Sequence, residues 1–293
     1  MNGDSPVPTF DVCVVGSSNL DLVATAAELP GPGETVLGHD YAEHPGGKGL
    51  NQAVAAARSG ARTVFVSAVG DDAAGMRLLD VMRDDAIDRA EVSVRAGVPT
   101  GRALIGVSDR GENSIIVVPG ANATVTVATL PPARVVLAQL EVPLDAVATA
   151  FAQARAAGAT TVLNPAPARS LPASLLATCD VVVPNEHEVE LLGGVDALLA
   201  LGARAVVVTQ GSRGATLYDS TGATHVPPVP VEPVDTTGAG DTFCGSLCAR
   251  LAAGDDLPAA LGYAAAAAAL GTTRAGAVPS IPTAAEVRAF VGG

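Results

Sequence analysis

Short apolar runs recur along the chain, and turn residues bound each of them. They lie at 11–16, 63–69, 134–140, 160–163, 180–183 and 203–209. Runs of this length are typical of buried strands. Most of the intervals between them hold Ala- and Leu-rich stretches with helical spacing, at 48–58, 74–84, 143–157 and 184–192. Strands that alternate with helices predict an α/β fold, in which a mostly parallel sheet carries helices on both faces.

Two stretches, at about 20–45 and 97–120, break this rhythm. Both contain alternating polar and apolar residues with turn residues between them, and neither has helical spacing. We interpret them as antiparallel strands that form a small β-sheet lid over a site. Helical patterns return at 241–254 and 257–270. The pattern therefore predicts a single domain over residues 1–293, with the lid inserted from the two irregular stretches.

Composition supports this fold and narrows the possible partners. The chain is 48% hydrophobic but only 3% aromatic, so its core must be built mainly from Ala, Val and Leu, which suits helices packed on a parallel sheet. A formal net charge of −13 opposes binding to nucleic acid, which draws on clustered Lys and Arg. No apolar run is long enough for a membrane span, so no membrane partner is expected.

The segment Met1–Pro8 has no Lys or Arg and no apolar core of the signal-peptide type, which predicts a cytoplasmic location. The four cysteines are scattered and include no C-x-x-C pair. Cys244 and Cys248 share a helix face, but no His or further Cys lies near them. We interpret them as small buried apolar residues rather than as metal ligands.

The segment Val234–Phe243 carries the strongest chemical signal. Three small residues, Gly238, Ala239 and Gly240, come just before a predicted helix, where the N–H groups of the first turn are unpaired and can bind an anion. Asp241 at the positive helix end stays ionised and can accept a proton from an alcohol. The segment thus predicts a base beside an anion hole that stabilises a transferring phosphoryl group. An ordinary helix N-cap is the structural alternative.

A second glycine-rich segment lies upstream at 46–51. Its adjacent glycines let the backbone approach a ligand, and Lys48 and Asn51 can point the same way and donate to hydroxyl groups. A helix-initiating turn with a solvated lysine is the alternative. A Walker-type phosphate loop does not fit, because Gly49 stands where Ser or Thr is required. A dinucleotide fingerprint fails too, because Phe243 replaces the third glycine in the later segment.

Further polar residues follow predicted strands. Asn19 and Asp21 come after the first strand, at the edge where open α/β sheets place ligands, although an Asx turn explains them equally well. Asn185 and Glu188 lie at a helix start, where Glu188 is also explicable as a surface carboxylate. The segment 209–214 follows a strand and has the composition of a turn.

Two of these segments resemble signatures of one known family. Gly238–Asp241, preceded by Asp235-Thr-Thr, is similar to the C-terminal signature of the ribokinase family of carbohydrate kinases, also called the PfkB family. The segment 46–51 resembles its N-terminal Gly-Gly-Lys-Gly-x-Asn motif. Two independent matches in the expected order make chance remote. Further similar stretches lie at 16–21, 139–141, 164–169, 184–188, 209–214 and 276–280.

The resemblance assigns roles to named residues. It implies that the sugar hydroxyls are bound by Asn19, Asp21, Gly47, Lys48, Asn51, Glu141 and Asp241. It implies that ATP is bound by Asn185, Gly240, Thr209, Gln210, Gly211, Ser212, Arg213 and Gly214. Glu188 is expected to position Mg²⁺ through water. A K⁺ site is expected from Asp235, Thr237, backbone oxygens around Gly271, Arg274 and Gly276, and the side chain of Ser280.

The activity that the resemblance implies is ATP-dependent phosphorylation of D-ribose at its 5-hydroxyl, which gives ribose 5-phosphate and ADP. Kinases for fructose, deoxyribose or adenosine are alternatives within the family. A non-catalytic sugar-sensing protein is the alternative from another class, although such a protein would not need the base Asp241. The resemblance also implies a homodimer that forms through the lid.

The chain departs from the family pattern at three places. The segment 193–204 is shorter than usual, so one helix is expected to be cut to roughly two turns. Ala265 stands where a polar residue often lies beside the adenine, which is expected to relax base selectivity. Leu50 replaces the common Ala in the N-terminal motif and is expected to narrow the sugar pocket.

Overall fold

A computed structural model describes residues 10–292 of the chain, and the Met1–Pro8 segment discussed above lies outside this range. The strands in the described range are β1 (Phe10–Val15), β2 (Asn19–Ala26), β3 (Gly38–Gly46), β4 (Thr63–Gly70), β5 (Val92–Arg95), β6 (Gly101–Ser108), β7 (Asn113–Val118), β8 (Ala133–Ala138), β9 (Thr160–Leu163), β10 (Val181–Val182), β11 (Ala205–Thr209), β12 (Ala215–Asp219) and β13 (Gly222–Val226). The helices are α1 (Lys48–Arg58), α2 (Ala73–Asp84), α3 (Leu144–Ala156), α4 (Ala173–Leu176), α5 (Glu186–Leu191), α6 (Val195–Ala200), α7 (Ala239–Ala253), α8 (Leu257–Gly271) and α9 (Ala284–Gly292).

Nine strands form the main sheet, in the order β13-β12-β11-β10-β9-β8-β1-β4-β5. The strands from β11 to β5 pair in parallel, whereas β12 and β13 add an antiparallel edge. All eight residues of β4 are buried, as expected for a strand covered on both faces. The predicted α/β class is therefore confirmed, and the parallel strands end at one common edge.

Side chains of β1 alternate between two core layers. Val12 and Val14 pack with α1, α2, α7 and α8 on one face, while Cys13 and Val15 pack with α3, α4, α5 and α6 on the other. Ala, Val and Leu supply most of both layers. The composition thus produces the layered core that was predicted from it, with helices on both faces of the sheet.

Close contact between α1 and α7 brings the two glycine-rich segments together. A Cβ atom at Gly245 would lie 2.3 Å from the backbone oxygen of Gln52, so only glycine permits this approach. The N-terminal ends of both helices therefore meet above the sheet. As a result, Asp241 of α7 lies beside Asn51 of α1.

A separate four-stranded sheet has the order β3-β2-β6-β7; its strands come from the two stretches that were predicted to form a lid, and we call this sheet the lid. The outer pairs β2–β3 and β6–β7 are antiparallel hairpins, as predicted. The central pair β2–β6 is parallel, so the prediction of an all-antiparallel lid is wrong. Each hairpin leaves the main sheet with its first strand, and these two first strands run side by side in the same direction.

Several elements were not predicted: β5, β12, β13, α4 and the C-terminal helix α9. The shortened segment between Gly193 and Arg204 holds α6, a helix of six residues, in agreement with the expected short helix. None of the helices in the described range is long and apolar enough to cross a membrane.

Candidate active site

Asp241 lies in the first turn of α7, where it is 7% exposed. Gly238, with φ of 74°, occupies the N-cap position of this helix. The Asp241 carboxylate does not cap α7; it accepts hydrogen bonds from two side chains of α1, Asn51 Nδ2 at 2.9 Å and Gln52 Nε2 at 2.8 Å. The N-cap alternative for Asp241 is therefore wrong, and a buried carboxylate is held at the start of the helix.

The backbone beside this carboxylate is open to an anion. Within residues 10–292, no acceptor is bonded to the N–H groups of Gly240 and Asp241. A Cβ atom placed on Gly240 would meet nothing within 4 Å among these residues, so this face of the turn is accessible. Two free N–H groups at a positive helix end form the arrangement that binds phosphoryl oxygens.

Four acidic side chains and one lysine converge on the site from different elements. Burial, reinforced by the charges of Glu141 and Asp241, raises the pKa of Asp21 on β2 to about 7. Asp21 Oδ1 is buried and has no hydrogen-bond partner in the part of the chain that the structure describes. Asp241, and then Glu141 and Glu188, raise the pKa of Lys48. Lys48 is the only lysine in the sequence and remains cationic among these carboxylates.

Glu141, just after β8, organises the start of α1. Its Oε2 accepts from the backbone N–H of Lys48 at 3.1 Å and from the hydroxyl of Ser17. The Ser17 hydroxyl in turn accepts from the N–H of Gly49 at 3.3 Å. Besides its expected contact with the sugar, Glu141 therefore holds the backbone at the start of α1, a role that the sequence did not indicate.

Two glycines at the junction of β3 and α1 allow this segment to pack closely against β2. Gly47 has φ of 89°, and a Cβ atom there would lie 2.8 Å from the backbone N of Asn19. A Cβ atom at Gly46 would lie 2.1 Å from Asp21 Oδ2. Asn19 is itself oriented by the buried Asn122, whose Nδ2 donates to Asn19 Oδ1 at 2.7 Å.

Leu50 does not contribute to the pocket. Its side chain is fully buried in the hydrophobic core with Ala53 and Val54. The expectation that Leu50 narrows the sugar pocket is therefore wrong. Ala265 lies on α8, partly buried against the same core layer.

Asn185 and Glu188 form a reciprocal capping box at the start of α5. Asn185 Oδ1 accepts from the N–H of Glu188, and Glu188 Oε2 accepts from the N–H of Asn185, both at 2.8 Å. Glu188 is buried, so it is not a surface carboxylate. A β-bridge joins Asn185 to Thr209 at the end of β11. The two segments expected to bind the nucleotide are thus adjacent at the edge where the strands end.

The segment after β11 is a turn built on glycines and held by side chains. Gly211–Arg213 is a 3₁₀ turn, and a Cβ atom at Gly214 would lie 2.2 Å from the backbone oxygen of Val226. Thr216 donates to Gln210 Oε1 at 3.0 Å, and Arg213 pairs with Glu186 of α5. Ser212 is exposed within this turn.

The residues expected around K⁺ lie in two adjacent segments, before α7 and after α8. Asp235 accepts from the N–H of Thr237 at 2.9 Å and from the N–H of Gly276 at 2.8 Å. Burial raises the pKa of Asp235, but these hydrogen bonds outweigh it and hold the pKa below its usual value. The N–H of Asp235 donates to Thr272 O at 3.0 Å.

The second of these segments is also internally bonded. The N–H of Arg274 donates to Gly271 O at 3.2 Å, and the buried Ser280 donates its hydroxyl to Ala277 O at 2.8 Å. The Arg274 guanidinium pairs with Glu286. Among the residues from 10 to 292, no three His, Cys, Asp or Glu side chains cluster as metal ligands.

A family model described as pfkB family carbohydrate kinase matches residues 9–284. The chain belongs to this family. It is therefore a phosphotransferase that acts on a sugar hydroxyl, and the predicted family is confirmed. The ribokinase of Staphylococcus aureus (strain COL) is 37% identical to it, and the match covers 95% of this chain and 99% of the relative.

Two further relatives bear on the reaction. The structure of Arabidopsis thaliana ribokinase complexed with ribose and ATP has 30% identity and a TM-score of 0.89, covering 97% of this chain and 99% of the other. The bifunctional ribokinase/ribose-5-phosphate isomerase A of Fructilactobacillus sanfranciscensis is 39% identical over 93% of this chain. The chain spans 54% of the length of that relative.

Proposed function

We propose that this protein transfers the γ-phosphoryl group of ATP to the 5-hydroxyl of D-ribose, which gives ribose 5-phosphate and ADP. The observation that carries the proposal is the pairing of a buried, hydrogen-bonded base, Asp241, with free N–H groups at Gly240 and Asp241. Similarity to proteins named ribokinase, one of them complexed with ribose and ATP, supports ribose as the acceptor.

Each side of the site has its own task in this reaction. Asp241 accepts the proton of the sugar hydroxyl, and the N–H groups of Gly240 and Asp241 receive the charge that develops on the transferring phosphoryl group. The ammonium group of Lys48 adds a positive charge beside the base. Positioning and charge stabilisation of this kind account for most of the catalysis of phosphoryl transfer.

A polyol fits the acceptors that the folded chain leaves unused. Asp21 Oδ1 and Asn51 Oδ1 are buried and have no partner within residues 10–292. Buried acceptors without partners cost free energy, and sugar hydroxyls are donors that would satisfy them. Asn19, Gly47, Lys48 and Glu141 complete the proposed sugar site.

We propose that ATP binds at Asn185, at Gly240 and along 209–214, with Mg²⁺ beside Glu188. Capping uses one oxygen of Glu188 and leaves the other for a hydrated cation. Mg²⁺ retains much of its water and takes few direct protein ligands, so a single carboxylate beside the phosphates is a sufficient fit. When bound, the ion neutralises phosphate charge.

We also propose that K⁺ binds beside the anion hole. Asp235 links the segment before α7 to Gly276, so oxygen atoms of Thr237, Gly271, Arg274, Gly276 and Ser280 lie in two bonded segments. A cation there would hold the backbone that presents the anion hole. Activity should rise when K⁺ replaces Na⁺ at constant ionic strength, and Asp235→Ala should abolish the difference. Equal rates in K⁺, Na⁺ and a bulky organic cation would contradict the proposed K⁺ site.

The lid is the proposed dimer interface. All six residues of β7 are exposed, including Ile115 and Ile116 at 52% and 61%. A contiguous exposed apolar strand is typical of a surface that pairs with another molecule. A second copy of the same lid, related by a two-fold axis, would cover it.

The experiment that tests the function measures ADP release from purified protein with Mg²⁺-ATP, K⁺ and one acceptor at a time. The acceptors are ribose, 2-deoxyribose, fructose and adenosine, and ribose should give the highest kcat/KM. A higher kcat/KM for fructose or adenosine would show that ribose is not the preferred acceptor, but the protein would still be a kinase of this family. Sugar binding without ADP release would favour a sensing protein instead.

The cytoplasmic location stays a prediction.

A further inference from the structure

A row of amide side chains lies behind the proposed base. Gln52 and Gln139 are fully buried, and Asn164 is 9% exposed. Gln52 Nε2 lies 2.8 Å from Asp241 Oδ1 and 3.1 Å from Asn164 Oδ1. Gln139 Nε2 lies 2.5 Å from Gln52 Oε1. These amides come from α1 and from the ends of β8 and β9, and neither motif assigns them a role in the reaction.

The donor and acceptor order of this row is fixed at one end. Asn164 Nδ2 donates to the backbone oxygen of Val183 at 3.0 Å, and a carbonyl oxygen can only accept. Asn164 therefore turns its oxygen toward Gln52, which must present its NH₂ group there. The same NH₂ group then donates its second hydrogen to Asp241 Oδ1, while Gln52 Oε1 accepts from Gln139.

This polarity favours one protonation state of the base. A buried N–H donor is stabilised most by an ionised acceptor, and an N–H bonded to a carboxylate forms a stronger hydrogen bond than one bonded to a neutral carboxyl. Because Gln52 is fully buried, its NH₂ group cannot turn to water instead. The amide row thus stabilises Asp241 as a carboxylate and restricts its rotation.

We propose that Gln52 is a positioning residue for phosphoryl transfer: it keeps Asp241 ionised and turns Oδ2, the oxygen beside Asn51, toward the sugar. The inference rests on the proposed function. The sugar O–H bond breaks and its proton goes to Asp241 Oδ2. The sugar oxygen forms a bond to the γ-phosphorus, and the bond between that phosphorus and the bridging oxygen of ADP breaks. Gln52 itself touches neither the sugar nor ATP.

Other charged and titratable groups interact with the base or with its charged neighbours. They come from α1, the lid strand β2, the end of β8, helix α5 and α7 itself: Lys48, Asp21, Glu141, Glu188 and Cys244. A substitution at Gln52 leaves all of them in place. A change in the pH profile of a Gln52 variant can therefore be attributed to the amide.

The test compares pH profiles of kcat/KM for ribose between pH 5 and 9. In Gln52→Glu a second carboxyl faces Asp241, so the two share a proton and a higher pH is needed to ionise the base. The acidic limb should move up by about one pH unit or more, so the rate at a fixed pH on that limb should fall by roughly tenfold. Gln52→Met, which removes the donor without adding charge, should move the limb in the same direction by less.

Gln153→Glu is the matched control, because Gln153 lies on α3 and, within residues 10–292, its side chain bonds only to the backbone of Ala128 and Leu130. Its profile should equal that of the wild type. If folded Gln52→Glu protein has its acidic limb at the same pH as the wild type, the proposal is overturned, even if the maximal rate has changed. If neither of these Gln52 variants folds, Gln52→Asn decides: its shorter side chain keeps a buried amide but withdraws it from Asp241 Oδ1, and an unchanged limb in it overturns the proposal.

The two proposals fail in different ways. If wild-type protein prefers another acceptor of the panel, the ribose assignment falls, and the same profiles are measured with that acceptor. If wild-type protein phosphorylates none of the four acceptors, Asp241 is not acting as a base in phosphoryl transfer to them, and both proposals are overturned.

Discussion

The two halves of the active site differ in how completely the protein itself satisfies them. On the main-sheet side, both oxygens of Asp241 accept hydrogen bonds from α1, and the donors are buried. On the lid side, Asp21 Oδ1 is buried and accepts no hydrogen bond from residues 10–292. The carboxylate of the proposed base is therefore held in place before any ligand arrives, whereas the lid carboxylate is left with an unused acceptor.

The two sheets show the same contrast on a larger scale. Every residue of β4 in the main sheet is buried, while every residue of β7 in the lid is exposed. The main sheet has helices on both faces, whereas the outer strand of the lid is exposed in the single chain. We therefore expect the main sheet to carry most of the stability and the lid to depend more on bound ligand or a second copy. Four predictions test this division.

The largest effect is expected at the main-sheet half. Asp241→Asn keeps the size of the side chain but removes the base, so kcat should fall by about 100-fold or more with much of the sugar affinity retained. Steady-state kinetics and calorimetric ribose titration measure the two quantities. Asp145→Asn, at an exposed position in the first turn of α3, is the control. Near-normal kcat in the Asp241 variant would show that this carboxylate is not the base.

A smaller effect is expected when the ligand of the lid half is changed. 2-Deoxyribose lacks a hydroxyl donor that Asp21 would accept, and an unmade bond to a buried charged group costs about 1–3 kcal/mol. Ribose should therefore have a kcat/KM roughly ten- to a hundredfold higher. If 2-deoxyribose matches ribose, Asp21 does not recognise the 2-hydroxyl, and its unused oxygen needs another explanation.

The outer lid strand should depend on a second copy. Ile116→Lys places a charge in the proposed apolar interface, and two-fold symmetry places it there twice, so dimerisation should weaken by about tenfold or more. Sedimentation velocity over a range of concentrations measures this. Val291→Lys on α9 is the control, since Val291 is equally exposed at 61% but lies outside the lid. A protein that stays monomeric without any substitution would contradict the prediction.

The smallest effect is a gain in stability at the lid half. The folded chain raises the pKa of Asp21 from 3.8 to about 7, so the free protein binds more protons than the unfolded chain between these values. Its stability therefore falls as pH rises through that window. Asp21→Asn removes this loss, so its Tm should exceed that of the wild type by roughly 2–4 °C at pH 8, or about 1 kcal/mol, and by less at pH 5. A Tm difference that does not change with pH would contradict the burial argument.

Periodicity predicted the alternation of strands and helices because both core layers are filled by apolar side chains with regular spacing. The β12–β13 edge was missed because β13 is largely exposed and its residues lack a continuous apolar run. Helix α9 was missed because only Val287 among its residues is fully buried. Local patterns also could not show that β2 and β6 run in parallel, since the direction in which two hairpins pair depends on the whole topology.

At the site, the glycine-rich motifs indicated Asp241 and Asn51, but not the amide row behind them. Gln52 and Asn164 are separated by 112 positions, and no local spacing shows that their side chains meet. The Leu50 error was avoidable: Leu50 lies three and four residues before Ala53 and Val54, which places all three on the inner face of α1.

The single lysine gives this chain an unusual behaviour toward proteases. A lysine-specific protease has one peptide bond to cleave, the bond between Lys48 and Gly49 in the first turn of α1, where Gly49 is fully enclosed by the backbone of Gly16 and Ser17. Cleavage needs an extended, accessible backbone, so the folded chain should resist and each opening of this turn should yield the same pair of fragments. The rate of that single cut therefore reports how often the active site itself opens, and bound sugar should slow it.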